Sequence, residues 1–201
     1  MAQIKLNATY GLTGALPAVS GANLTTLNAT NISSGTLNAA RYSGGITEAD
    51  LWRLSSSFSG NEDPITGTYE RDDTYGFGLL GTGMSQSSGV FTFPSTGYWR
   101  VNFNMNGYAM GSENKWIRGQ IEYSSDTGSN YNLCAYGTSH ALDSGVSYKY
   151  IYVAAEVLLD ITNTTTQLIR FCSRSEDDNH TTIGDTNENQ SYATFTKLAA
   201  T

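Results

Sequence analysis

One short stretch of the chain places a nucleophile, a base and an acid close together. Ser139, His140 and Asp143 lie within TSHALDS, and these residue types carry out hydrolysis when they meet in space. Sequence neighbours in a loop rarely meet in that way, and no GxSxG elbow occurs. We therefore expect no catalytic residues and no enzymatic activity.

A second stretch carries metal-binding chemistry. Glu176, Asp177 and Asp178 supply the carboxylate oxygens that Ca²⁺ prefers, and His180 follows them. The spaced D-x-D-x-D-G pattern is absent, so the default interpretation is a solvated acidic loop, with calcium binding as the alternative. We expect no metal and no cofactor.

The two cysteines, Cys134 and Cys172, lie in different strand-like stretches. They form no CxxC or Cys/His pattern. The first residues, MAQIKLNATYGL, lack the apolar region of an export signal. Free buried thiols are therefore favoured over a bridge between neighbouring strands.

Aromatic side chains are the remaining candidates for recognition. The candidate recognition surface, for a host-surface glycan or protein, consists of Trp116, Arg118 and Tyr131. Three further tyrosines alternate along one strand: Tyr148, Tyr150 and Tyr152. They would form a recognition surface if exposed, or a subunit interface if buried between protomers, and in a trimer the interface is favoured.

The elements that would position these side chains are strands. In YWRVNFNMN, Trp99, Val101 and Phe103 alternate with polar residues, as in a half-buried antiparallel strand. Residues 146–159 read as a strand buried on both faces, and 175–190 as a long polar loop. About eight short strands joined by polar turns predict an all-β antiparallel sandwich or jelly roll.

The N-terminal part follows a different pattern. Leu27, Ile32 and Leu37 recur every five residues, and Leu24 precedes them. A five-residue period matches neither the turn of a single helix nor the alternation of a strand. Several identical chains wound about one axis could bury them, which predicts an oligomeric shaft. ITEADLWRLSSSFS then predicts a short helical collar built on Leu51, Trp52 and Leu54. The predicted domains are thus 1–45, anchor and shaft; 46–60, collar; and 61–201, a jelly-roll knob.

Charge separates the two ends of the chain. The net charge is −7, yet no acidic residue precedes Glu48, while Lys5 and Arg41 do. The acidic body disfavours nucleic acid as a partner, and no segment has the apolar length needed for membrane insertion. Residues 1–20 are expected to dock on a protein surface.

The segment GVFTFPSTGYWRVNF resembles a motif of the jelly-roll superfamily that contains the complement globular head and tumour necrosis factor. Pro94 ends one strand, and Gly97 allows the chain to reverse before Tyr98. The knob core predicted from this motif is Phe91, Phe93, Trp99, Val101 and Phe103. SYATFTKL is similar to that family's last strand, which implies a trimer with this strand near its centre.

The stretch from Leu27 to Arg41, followed by WRL, resembles phage virion proteins such as fibres, spikes and capsid decorations. This resemblance implies a homotrimeric structural protein displayed on the virion. The first expectation is a head fibre or decoration whose residues 1–20 contact a capsid or tail protein. The alternative is a short tail fibre or spike with a receptor-binding knob.

Overall fold

Twelve strands make up the described part of the chain, which comprises residues 45–111, 114–142, 145 and 147–201 of a computed structural model. The described residues belong to the compact unit Gly44–Thr201. The strands are β1 Ala49–Leu54, β2 Ser56–Ser59, β3 Tyr69–Arg71, β4 Ser85–Ser87, β5 Val90–Thr92, β6 Gly97–Met110, β7 Asn114–Ser124, β8 Asn132–Ala141, β9 Tyr148–Ile161, β10 Leu168–Ser175, β11 His180–Asp185 and β12 Tyr192–Ala199. The predicted anchor, and the shaft residues Leu24, Leu27, Ile32 and Leu37, lie outside the described residues.

The strands form two antiparallel sheets. The larger sheet has the order β2-β11-β6-β12-β1-β3, and β9 pairs with β6 along its whole length. The smaller sheet has the order β4-β5-β10-β7-β8. Neighbours in each sheet are mostly distant in sequence, as in a jelly roll. The predicted all-β antiparallel sandwich is confirmed. Within the described ranges no helix has the length and apolar character needed to cross a bilayer.

The core lies between the two sheets, and β6 shows how the sequence builds it. Its apolar side chains alternate inward, and Trp99, Val101 and Phe103 are completely buried. The ring of Phe103 stacks on Phe171 of the smaller sheet with a centroid distance of 4.8 Å. Phe91 packs edge-on against the same Phe171 at 5.4 Å. Each buried phenylalanine stabilises the fold by roughly 1.5–3 kcal/mol. All five predicted core residues, Phe91, Phe93, Trp99, Val101 and Phe103, are buried there.

The turn before β6 explains the sequence motif that precedes it. Pro94 follows the end of β5, where no ladder donor is needed. Gly97 begins β6 with a φ of 141°, a conformation that side chains disfavour. A Cβ atom at Gly97 would lie 2.4 Å from the carbonyl oxygen of Ala199. Glycine is therefore required where β6 meets the end of β12.

The predicted helical collar is wrong. Residues 49–54 form β1, which pairs with β12 on one side and β3 on the other, and 56–59 form β2. Trp52 and Leu54 point into the core, while Leu51 and Arg53 lie on the opposite face. The apolar spacing fitted one helical turn, but pairing with two distant strands outweighed that weak local preference. The collar residues Leu51, Trp52 and Leu54 are thus part of the sandwich.

The predicted loop over 175–190 is also partly wrong, because it contains β11. This strand pairs with β2 and β6. Its inward side chains are the polar residues His180 and Thr182, both buried. Ser173 bonds to each of them, at 2.7 Å to His180 Nε2 and 3.2 Å to Thr182 Oγ1. A strand whose buried face is polar carries no hydrophobic alternation and could not be recognised from the sequence.

Candidate functional site

The outer face of the larger sheet exposes a row of tyrosines on β9. Ile151, Val153 and Ala155 point into the core. The alternating residues Tyr148, Tyr150 and Tyr152 point outward and are 52%, 78% and 58% exposed. The expectation that this strand is buried on both faces is wrong for the described part of the chain, where no second layer covers its outer side. We call this surface, which also carries Tyr98 and Leu158, the tyrosine face.

The centre of the tyrosine face is polar and internally bonded. Tyr152 donates a 2.6 Å hydrogen bond to Asn104 Oδ1, and Asn104 donates to Asn102 Oδ1. Arg100 forms an ion pair with Glu156 at 2.5 Å. A depression of about 360 Å³ lies here, lined by Arg100, Asn102, Asn104, Tyr192, Thr194 and Thr196. Exposed tyrosines next to polar groups are common on surfaces that bind another protein, because tyrosine is enriched at interfaces.

A buried arginine anchors the loops beside this face. Arg53 lies opposite Tyr192 in the β1–β12 ladder, but its side chain is fully buried. Its Nε donates to Glu70 at 2.7 Å, and its Nη1 donates to Asp72 at 2.8 Å. Its Nη2 donates to Asp73 and to the carbonyl oxygen of Thr186. The guanidinium of Arg53 thus joins the end of β3 to the β11–β12 loop. Its buried positive charge is balanced by carboxylates that accept its hydrogen bonds.

The carboxyl of Asp72 responds to this environment. Burial alone would raise its pKa, but hydrogen bonds from Asn189 and Thr74 and the charge of Arg53 outweigh burial, so the pKa lies below its usual value. Next to it is a cleft of about 520 Å³, where Tyr75 is 92% exposed with a φ of 51°. The strained backbone of Tyr75 persists only if the surrounding structure holds it, and the hydrogen bonds of Arg53 and Asp72 hold this loop.

The predicted recognition residues lie on the smaller sheet. Trp116 and Arg118 are two residues apart on β7 and share its outer face, opposite the buried Ile117. The guanidinium carbon of Arg118 lies 4.8 Å from the ring centre of Trp116 and 4.7 Å from that of Tyr136. The structure therefore adds Tyr136, an exposed residue that alternates with the partly buried Ala135 and Gly137 on β8, and this alternation was the available sequence signal.

Tyr131 lies in a second cluster of the same face. Arg170 stacks over its ring at 4.0 Å and pairs with Glu122 at 2.7 Å. Arg174, four residues further along β10 on the same face, pairs with Asp63. We call this surface, with Arg118, Arg170 and Arg174, the arginine face. The recognition role of Trp116, Arg118 and Tyr131 stays a prediction.

One group of side chains on this face has metal-ligand chemistry. In the described ranges, Asp63, Glu122 and Cys172 are the residues whose ligand atoms come within 4.8 Å of one another. Burial raises the pKa of the Cys172 thiol, and its hydrogen bond to Asp63 raises it further, so the thiol stays protonated. Two arginines already neutralise the carboxylates. The arrangement is an ion-pair network in which a protonated thiol donates to Asp63.

The cysteines are on different strands. Cys172 on β10 is buried and Cys134 on β8 is exposed, and both are free. Strand β7 lies between the two strands that carry them. The expectation of free thiols is confirmed, but burial holds for Cys172 alone.

The acidic stretch before β11 does not gather its side chains around one point. Glu176 accepts from Lys115 at 3.0 Å, and Asp178 accepts from the backbone of Asn61. His180 turns into the interior, where Ser173 and Ser175 bond to its two ring nitrogens at 2.7 and 2.9 Å. Its pKa is lowered by burial, which the charge of Asp178 offsets only in part. These partners leave no common site for the four residues.

The hydrolase-like residues are separated by strand geometry. Ser139 and His140 are consecutive on β8 and point to opposite faces of the smaller sheet. They cannot act together on one substrate atom. Asp143 lies outside the described residues.

Comparison with known proteins identifies the class of fold. No protein-family model matches the chain, and no curated protein is similar to it in sequence. Among solved structures, murine APRIL at pH 8.5 has a TM-score of 0.52 at 6% identity, covering 75% of this chain and 98% of that one. An Eiger TNF from S. frugiperda has a TM-score of 0.56 at 11% identity, covering 76% and 93%.

These likenesses show the fold alone. The described part of the chain is a TNF-like jelly-roll sandwich, which confirms the fold expected from the GVFTFPSTGYWRVNF motif. The phage resemblance of the N-terminal part has no counterpart among them.

Proposed function

We propose that the protein is a non-enzymatic structural component of a phage virion. In this proposal three copies form a head fibre or decoration, residues 1–20 contact the particle, and the jelly roll projects outward. The observation that carries the assembly is the tyrosine face. Tyr148, Tyr150 and Tyr152 are all more than half exposed in the single chain, and a contiguous exposed aromatic surface is typical of one that a partner subunit covers.

The tyrosine face suits a second copy better than a small ligand. It is broad, and its aromatic groups surround a shallow polar depression rather than an enclosed cavity. Tyr152, Asn104 and Asn102 are already held by hydrogen bonds, so little side-chain freedom would be lost on association. Strand β12 crosses this face with Thr194 and Thr196 outward, which fits the resemblance to a family whose last strand lies near the trimer centre.

The position on the virion rests on the N-terminal part of the sequence. The five-residue period of Leu27, Ile32 and Leu37 requires partner chains, and the stretch before Glu48 has no acidic residue. Both properties support a multichain stalk that ends on another protein. Two separate parts of the chain thus favour the same assembly.

Sedimentation of the purified protein tests the assembly, and we expect a trimer at micromolar concentration. Imaging of intact particles carrying a labelled copy tests the location. Label on the head supports the fibre or decoration role. A monomer in solution together with unlabelled particles would contradict both parts of the proposal.

The second candidate is a short tail fibre or spike whose knob binds a host-surface glycan or protein. The arginine face favours it, because Trp116 and Arg118 lie on the sheet opposite the tyrosine face and would stay accessible after association. Label confined to the tail would support this role, and label confined to the head would exclude it.

A further inference from the structure

Among the arginines that the structure describes, Arg118 is the one that forms no ion pair with a carboxylate. Its Nε–H is shielded from solvent and has no hydrogen-bond partner. The other arginines described all pair with carboxylates: Arg53, Arg71, Arg100, Arg170 and Arg174. An unbonded guanidinium N–H costs free energy, because water is excluded from it and nothing replaces the water. The rings of Trp116 and Tyr136 fix the position of the side chain nonetheless.

The neighbouring strand adds a second positive charge. Arg118 and Arg174 are direct partners in the β7–β10 ladder, where like charges repel. Among the described residues of the arginine face, Arg118, Arg170 and Arg174 meet only two carboxylates, Glu122 and Asp63. A local positive excess therefore lies on a protein of net charge −7. An anion bound at this surface would balance the positive excess.

The flanking groups indicate which kind of anion fits. Trp116 and Tyr136 border Arg118, and Tyr136 is 51% exposed. Thr138, the exposed partner of Arg118 across the β7–β8 ladder, adds a hydroxyl. Aromatic rings pack against the C–H faces of sugars, hydroxyls bond to sugar hydroxyls, and a guanidinium holds a carboxylate through two parallel hydrogen bonds.

We propose that Arg118 binds the carboxylate of an acidic sugar in a surface polysaccharide, with Trp116 and Tyr136 packing against the sugar ring. The proposal deepens the second candidate function by naming its ligand class, and it rests on a recognition role for the arginine face. A polyanionic peptide is the competing ligand, and it would satisfy the charge without using the rings.

Binding of defined polysaccharides to the full chain tests this assignment. The probes are polygalacturonate, polysialic acid and the methyl ester of polygalacturonate, which keeps the sugar backbone and removes the charge. We expect binding of at least one acidic polymer and none of the ester. Equal binding of the ester, or no binding of either acidic polymer, would overturn the proposal. Stronger binding of poly-glutamate or dextran sulfate than of both acidic polymers would also overturn it.

Variants locate the binding. Arg118→Gln should weaken binding by about tenfold or more, the order expected for a charge-assisted hydrogen bond. Arg118→Lys keeps the charge but not the planar donors, and should recover only part of the affinity. Lys115→Gln removes the same charge three positions away on β7 and should bind as the parent does. Thermal melting and sedimentation of each variant exclude misfolding as the cause. If Lys115→Gln weakens binding as much as Arg118→Gln, the contact is general charge and the proposal fails.

The labelling of particles keeps this test separate from the proposed function. Acidic-polymer binding lost in Arg118→Gln supports the site even if the label lies on the head. Label on the tail without such binding supports the recognition role and rejects Arg118 as its anion site.

Discussion

The phenol of Tyr152 on β9 donates to the side-chain oxygen of Asn104 on β6 at 2.6 Å. This bond joins an exposed aromatic row to the polar centre of the same sheet face. Asn104 in turn donates to Asn102, so the groups are fixed before any partner arrives. A surface with fixed side chains loses less entropy on association than one with free side chains.

Charge placed on this face should prevent self-association. We expect Tyr150→Glu combined with Tyr152→Glu to raise the dissociation constant by at least tenfold, since losing a central interface aromatic costs about 2 kcal/mol or more. Sedimentation at several concentrations measures the change. Tyr136→Glu is the matched control, because Tyr136 is similarly exposed but lies on the smaller sheet. An unchanged trimer in the double variant would remove the tyrosine face from the assembly.

The predicted shaft makes a separate contribution. Replacing Leu27, Ile32 and Leu37 together with Ser should weaken assembly by several kcal/mol per chain, from ~1.5–3 kcal/mol for each buried side chain. Sedimentation and incorporation into particles report the loss. Unchanged melting and incorporation would show that the five-residue period does not build a stalk.

The sequence predicted those parts of the fold in which hydrophobic alternation alone decides the structure. Trp99, Val101 and Phe103 follow that alternation, and all are buried. Arg53 shows what local pattern cannot provide, because its partners Glu70, Asp72 and Asp73 lie far along the chain. In ADLWRL the local apolar spacing favours a helix, because the two strands that flank it, β12 and β3, come later in the sequence. On the arginine face, Trp116 and Arg118 are close in sequence, whereas Tyr136 comes from another strand that only the fold brings beside them.

Arg53 should be one of the most costly positions to change. Arg53→Met leaves the carboxylate of Asp72 buried without its partner, and losing one member of a buried pair costs about 3–5 kcal/mol. Denaturant unfolding measures this loss. Lys115→Met, which breaks the largely exposed pair with Glu176, serves as the control and should unfold as the parent does. Similar midpoints for both variants would contradict the structural role of Arg53.

The lowered pKa of Asp72 predicts that part of the folding stability is lost in acid. Its folded-state pKa is lowered, so its contribution is present above the unfolded-state pKa of about 3.9. That contribution is lost as the pH falls from there through the folded-state pKa, because the unfolded chain then binds the proton more readily. Asp72→Asn should be less stable at pH 7 and should lose less stability between about pH 5 and pH 2. Parallel curves for parent and variant would mean that Asp72 does not titrate differently in the two states.

His180 should make stability depend on pH in a higher range. Burial lowers its folded-state pKa, so the unfolded chain, with a pKa of about 6.5, takes up a proton first as the pH falls. Stability is therefore fully present above about pH 7 and declines below 6.5 until the folded-state pKa is reached.

His180→Gln should cost about 1–3 kcal/mol at pH 7, because Ser173 and Ser175 lose a well-placed partner. It should also flatten the decline in melting temperature between pH 7 and pH 5. If His180→Gln declines in melting temperature between pH 7 and pH 5 as steeply as the parent does, the buried histidine is not the group that titrates.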